Sequence, residues 1–245
     1  MPLKLYFNLC RIAYNIISDI HKYKFLWILI FLYSLCILMA NLYDARLISL
    51  FNVTMTPGVL IYPISFSINL LISEVYHFYF AKKTIIIGFM VNMIVLIYGL
   101  IVVYAPIPIE YSSEVQNANE IFKHSFLIIF ASFLSYFVSE FSNSFIYLKI
   151  KESSKSISIV PRYLFSIFIA TTIDTFIFTC IAFGLYLNSS ELWRLIMTMI
   201  IIKFVIEAIL GIFFKNVSQK LRLLEGIKDT DIIRNFSLLR KKNGK

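Results

Sequence analysis

The chain has 245 residues, 59% hydrophobic and 15% charged, with a formal net charge of +9. Its apolar residues come in runs of about 18 or more, which read as membrane-crossing helices and exclude an ordinary soluble domain. The basic residues gather at the two ends and in two short loops, a mark of membrane topology rather than of nucleic-acid binding.

Residues 1–24 are too polar to span. Tyr6, Leu9, Ala13, Ile16, Ile17 and Ile20 recur at helical spacing among Lys4, Arg11, Lys22 and Lys24, which predicts an amphipathic helix on an anionic cytoplasmic surface. The first apolar block is too long for a signal peptide, and no small-x-small cleavage site follows it. Spans are then expected at approximately 25–43, 58–80, 84–105, 124–148, 162–187 and 193–214, giving a 25–215 membrane domain and a basic tail over 216–245. Pro57-Gly58 marks a turn before the second span, and Lys82-Lys83 follow it. A polar loop is expected over 106–123, a basic Ser-rich loop after the fourth span, and a short loop at Asn188–Glu191.

With the N-terminus inside, the four inside segments hold 4, 2, 4 and 9 Lys/Arg, whereas the outside segments hold only Arg46, Lys123 and Arg194. The expected fold is therefore an all-α polytopic membrane protein of six transmembrane helices with both termini cytoplasmic. Two three-helix halves in inverted topology would suit a transporter, but the internal similarity is too weak to claim a repeat.

Five ionisable residues fall inside the expected spans: Glu74, Glu140, Asp174, Lys203 and Glu207. Each costs a few kcal/mol or more if it faces lipid, so each should face a bundle interior or a watery cavity. Asp174 sits near the middle of the fifth span, beside Thr171, Thr172 and Thr175. Lys203 has two reachable partners: Glu207, four residues on, or Asp174 on the neighbouring helix.

The second span carries a stripe of Ser65, Asn69, Ser73 and His77, flanked by Glu74, Tyr62 and Tyr76. In the fourth, Tyr136, Glu140, Asn143 and Tyr147 share a face, with Ser135, Ser139 and Ser142 adjacent. Serine alone is ordinary helix-packing material. Carboxylate, amide and aromatic groups together point instead to a small polar ligand with a flat ring.

Nothing indicates an enzyme, a metal or a cofactor. The histidines (His21, His77, His124) lie on different elements, and Cys10, Cys36 and Cys180 match no metal or redox spacing. Transport is the better class.

Three spans resemble the VUT family of queuosine-precursor transporters. The second-span pattern F-S-F-P, T-D-L, E-x-Y-G is matched by Pro63, Ser65-Phe66, Asn69-Leu70 and Glu74-Val75-Tyr76-His77. The fourth-span pattern is matched by Ala131-Ser132-Phe133 and Ser139-Glu140-Phe141-Ser142-Asn143. The fifth is the most specific: Arg162, Ser166, Asp174-Thr175, Phe178 and Ile181-Ala182-Phe183. Asn41 and Lys203 also stand where the family has Asn and Lys. This chain departs from the pattern at Asn69 and Asn143 (family carboxylates), Glu140 (Gln), His77 (Gly) and Thr171 (Asn or Gln).

The resemblance implies import, across the cell inner (plasma) membrane, of a deazaguanine-type queuosine precursor for tRNA modification. It implies no cofactor. On this footing Glu140 or Glu74 meets the donor edge of the base and Asp174 makes a central polar contact. Asn69 or Asn143 donates to the ring carbonyl, Tyr76 or Tyr136 stacks, and Thr171 and Lys203 complete the substrate-binding set. The partners expected are that small molecule and the lipid bilayer, and two other readings stay open: a membrane subunit working with an ATPase module, and a non-transporting scaffold.

Overall fold

The computed structural model describes residues 23–44, 47–50, 53–105, 112–153 and 157–227, with backbone alone over 112–126. Within them the chain forms α1 (Leu26–Tyr43), a hairpin of β1 (Ile48–Leu50) and β2 (Val53–Met55), and a 3-10 turn at Pro57–Leu60. Helices α2 (Tyr62–Tyr76), α3 (Phe78–Val103), α4 (Ser112–Ser153), α5 (Ile159–Phe183) and α6 (Ser189–Glu225) follow. The helix expected over 1–24 lies almost wholly outside the described residues, as does most of the tail beyond Ile227.

Among the described residues, five segments are long and apolar enough to cross a membrane: α1, the 3-10 turn with α2, α3, α5 and α6. Hydrocarbon offers no partner to a bare N–H or C=O, so a helix that satisfies its own backbone is the form these runs must take. Helix α4, which buries Ser132, Ser135, Ser139, Glu140 and Asn143, is not among these five by its described side chains alone. The chain is an all-helical, multi-pass membrane protein apart from its hairpin.

Helix α2 is the centre of the bundle. It packs against α1, α3, α4 and α6 and buries nearly every side chain, Ser65, Asn69, Ser73 and Glu74 included. Helix α3 is its opposite. A single stripe of Phe80, Ala81, Thr84, Ile85, Gly88 and Asn92 faces inward, while Ile86, Met90, Ile94, Ile97 and Ile101 point out, as acyl chains require.

Several boundaries differ from the sequence expectation, each for a physical reason. The second span does not run on to Lys82-Lys83. The chain turns at His77, whose φ of 79° and ψ of 158° lie where only glycine rests without strain. Lys82 and Lys83 then belong to α3, their ammonium groups 4.9 Å and 4.2 Å from the ring centres of Phe78 and Tyr79. The all-α expectation fits, with one addition, a short hairpin paired Ile48 with Met55, Ser49 with Thr54 and Leu50 with Val53. Helix α4 begins inside the expected 106–123 loop, at Ser112. Helix α6 starts within the expected Asn188–Glu191 loop, where Asn188 and Glu191 form a capping box, and runs on to Glu225. It stops at Gly226, whose φ of 69° frees the chain to turn.

One carboxylate ties chain segments together at each end of the bundle. At the end where the described residues begin and stop, Glu225 accepts from the Lys24 and Phe25 N–H groups at 2.9 and 2.8 Å, just ahead of α1. At the hairpin end, Asp44 follows the last turn of α1 and accepts from the Gly58 N–H at 2.6 Å. A Cβ on Gly58 would collide with that carboxylate, so the approach needs glycine. An apolar cluster containing Met55, Val59, Phe178, Phe183, Leu195 and Met199 packs beneath the hairpin.

The strain at His77 predicts that His77→Gly stabilises. Relief of about 1–3 kcal/mol exceeds the extra unfolded-state freedom of roughly 0.4–1 kcal/mol, so the unfolding midpoint in detergent should rise, and His77→Ala should not raise it. At the other end, burial pushes the Asp44 carboxyl up to about 6, against the pull of Lys203 and the Gly58 hydrogen bond, with Asp174 adding a small upward push. A carboxyl raised in the folded state favours folding while it is protonated. That contribution is complete below the ordinary Asp value and is lost as pH rises through about 6. Thermal unfolding should therefore show stability falling by about 2–3 kcal/mol between pH 4 and 7 from this group, a fall that Asp44→Asn flattens.

Candidate functional site

Between the two ends of the bundle lies a layer of buried polar side chains drawn from α1, α2, α4, α5 and α6. On α5, Thr171, Asp174 and Thr175 fall at helical spacing and turn inward together. On α6, Lys203 and Glu207 do the same one turn apart. Lys203 Nζ donates to Asp174 Oδ2 at 2.7 Å, both side chains about 3% exposed. Of its two reachable partners it takes the one on the neighbouring helix. Glu207 accepts instead from the Thr171 hydroxyl at 2.6 Å. Ser139 of α4 reaches Asp174 Oδ1 at 3.4 Å, and the Lys203 ammonium lies 5.0 Å from the Tyr62 ring centre, a cation–π contact.

The α2–α4 interface supplies the next group. Asn69 Nδ2 donates to Glu140 Oε2 at 2.7 Å and to Ser144 Oγ at 3.1 Å, and Ser73 Oγ reaches Ser144 Oγ at 3.4 Å. Behind Glu140, the Tyr33 hydroxyl donates to the Tyr136 hydroxyl at 2.8 Å, which donates to the Ile85 carbonyl at 2.7 Å. Gly88 makes room for both rings: a Cβ there would lie 2.9 Å from Tyr33 and 3.0 Å from the Tyr136 oxygen. Glu140, Asp174, Lys203 and Glu207 are close enough to influence one another electrostatically.

Several of these groups keep unused hydrogen-bonding capacity while fully buried. Asn69 Oδ1, Glu140 Oε1, Glu207 Oε2, both polar atoms of Asn143, and the hydroxyls of Tyr62 and Thr175 have no partner. A buried polar atom without a partner costs on the order of 1–3 kcal/mol, and folded proteins tolerate few of them. Concentrated on the facing sides of α2, α4, α5 and α6, these atoms offer acceptors and donors to a small planar molecule. Among the described residues, no group of three or more His, Cys, Asp or Glu is placed to hold a metal ion.

The structure thus links Asn69 with Glu140, Lys203 and Ser139 with Asp174, and Thr171 with Glu207, with Tyr136 behind Glu140; Asn143, three residues on from Glu140, is buried without a hydrogen-bond partner. It does not bring Glu74 or Tyr76 into these contacts. Glu74 lies further along α2, toward the end where Glu225 sits, and is engaged by Lys151, Arg162, Arg222 and Tyr147. Tyr76 donates to Glu225 at 2.7 Å. Tyr33 was missed in the sequence. The signal for it existed, since Tyr33, Ile37 and Asn41 recur along the buried face of α1. Asn41 itself donates to Asn92 Oδ1 at 2.8 Å, beside a largely apolar cavity of about 290 Å³ between α1 and α3 that contains none of the acidic groups.

Compared with known protein families, the chain matches the one described as putative vitamin uptake transporter over residues 56–217. Neither a curated protein nor a solved structure matches. The matched range takes in α2 to α5 and most of α6, and so all of the layer's side chains apart from Tyr33.

Removing one partner of a buried ion pair strands the other charge, at a cost of about 3–5 kcal/mol, whereas removing both leaves none stranded. Lys203→Met and Asp174→Asn should each lower stability in detergent, and the double variant should unfold at a higher temperature than Lys203→Met alone.

Proposed function

The chain belongs to the putative vitamin uptake transporter family, and from that premise we propose that it imports a deazaguanine-type queuosine precursor. The observation that carries this reading is the set of buried, unpartnered donors and acceptors around Glu140 and Asn143. A deazaguanine presents a ring N–H and an exocyclic amino group on one edge and a carbonyl beside them. A carboxylate meets the first two and an amide donor the third.

Glu140 suits the donor edge better than Glu74 does. Glu140 Oε1 is unpartnered, while Glu74 is already held by three cations. The Asn143 amide is free to donate to the carbonyl, with Asn69 holding the second oxygen of Glu140. Asp174 is fixed by Lys203 and lends the layer its central charge pair. Tyr62 and Tyr136 supply ring faces. No step of this scheme breaks a covalent bond, in keeping with transport rather than catalysis.

We take α4 as a sixth span, with both termini in the cytoplasm of a cell whose inner membrane holds the protein. The skew of Lys and Arg toward the segments expected inside supports that orientation.

The test is uptake by a host lacking its own precursor synthesis and import, read as queuosine in tRNA. Cyano-deazaguanine, aminomethyl-deazaguanine and queuine are supplied separately. Rescue by at least one is expected, lost in Asp174→Ala and reduced in Glu140→Gln while both variants remain in the membrane. No rescue by any of the three, with the protein shown to be inserted, would overturn the queuosine assignment.

A further inference from the structure

Glu74 is a buried acid that the proposed substrate layer leaves unused, and three cations surround it. It stands on α2, 2% exposed. Lys151 of α4 reaches its Oε2 at 2.7 Å, and Tyr147 of the same helix donates to that oxygen at 2.9 Å. Arg162 of α5 approaches to 4.0 Å and lies over the Tyr147 ring, 5.5 Å from its centre. Arg222 of α6 binds the other carboxylate oxygen and also donates to the Glu74 carbonyl at 3.0 Å. Two residues on, Tyr76 donates to Glu225, which accepts from the Phe25 N–H just ahead of α1. One short stretch of α2 therefore ties together α1, α4, α5 and α6 at the Glu225 end.

A line of small polar side chains leads to this cluster from the substrate layer. Asn69 contacts Ser144, and Ser144 contacts Ser73, the neighbour of Glu74. The line is polar along its length, unlike an apolar seal. We infer that the Glu74 cluster is the inner gate of the transporter, closing the route from the Asn69–Glu140 layer to the cytoplasm, an inference that rests on the transport function and orientation proposed above. Charge is apt for this task. Opening an apolar plug exposes surface that water rejects, whereas opening an ion cluster exposes groups that water solvates, so the Coulomb energy lost is largely returned as hydration. Such a seal is tight when closed and cheap to open.

The test reads gate opening without any substrate, so it stands or falls separately from the uptake experiment. In a background with Cys10, Cys36 and Cys180 changed to Ser, Ser73→Cys places a thiol just behind the gate. Thr56→Cys places one at the hairpin end as a control. Labelling by a membrane-impermeant charged maleimide is followed in vesicles exposing the cytoplasmic face for the first and the outer face for the second. With Glu74 intact, both should label slowly. Glu74→Gln should speed labelling at position 73 by about tenfold or more and leave position 56 unchanged. Arg222→Gln, which weakens the same cluster from the other side, should give the same pattern and serves if Glu74→Gln inserts poorly. Unchanged labelling at position 73, or equal acceleration at both positions, would overturn the gate, the second outcome indicating general loosening.

Discussion

The ion pair between Asp174 and Lys203 is the constraint around which the membrane domain is arranged. Neither charge is tolerable alone in hydrocarbon, so α5 and α6 must meet with these two residues face to face, at 2.7 Å. Once they do, the rest of the layer follows. Glu207, one turn along α6, is brought beside Thr171. Ser139 of α4 is drawn to the second oxygen of Asp174, and the Tyr62 ring of α2 covers the ammonium. Each neighbour either shares charge or excludes lipid, and together they create the polar interior in which Glu140, Asn69 and Asn143 can remain buried.

Charge inside an apolar run is a signal that survives in one dimension. This is why Asp174, Lys203, Glu140 and the amides beside them stand out in the sequence. The helices that surround them were legible for the same reason, through long runs that only a bilayer explains. Other features left weaker traces. Lys82-Lys83 mark an interface but not a turn, because a lysine stem can run along a helix and carry its charge outward. The turn itself sits at His77, where the glycine of the resembling family pattern was the only hint. The 112–123 part of α4 is polar, so no apolar period announced it. The hairpin rests on three residue pairs between two helices, too short a pattern to read.

The basic residues show how one signal can hide another. Lys151, Arg162 and Arg222 all contribute to the charge skew that orients the protein, and that account is sufficient for each of them. Only in three dimensions do they converge on Glu74. The same residues then carry two signals, since charge that counts toward topology along the chain also binds a buried acid in space. The polar layer is bounded by ions on one side and by the Asp44–Gly58 contact with its apolar cluster on the other. In the described conformation the layer lies buried between these two sets of contacts.

The contact of Glu225 with the chain entering α1 has a consequence for how the protein is made. The N–H groups of Lys24 and Phe25, just ahead of α1, are satisfied by a side chain about 200 residues further along the chain. Until α6 has been synthesised and inserted, those groups must be served by water and lipid headgroups, so α1 waits at the membrane surface with its end unfinished. Joining α6 to α1 is a contact of large sequence separation, the kind that forms late. Docking of α1 is thus coupled to the arrival of α6, and a nascent chain interrupted before Glu225 would leave α1 undocked and open to quality-control proteolysis.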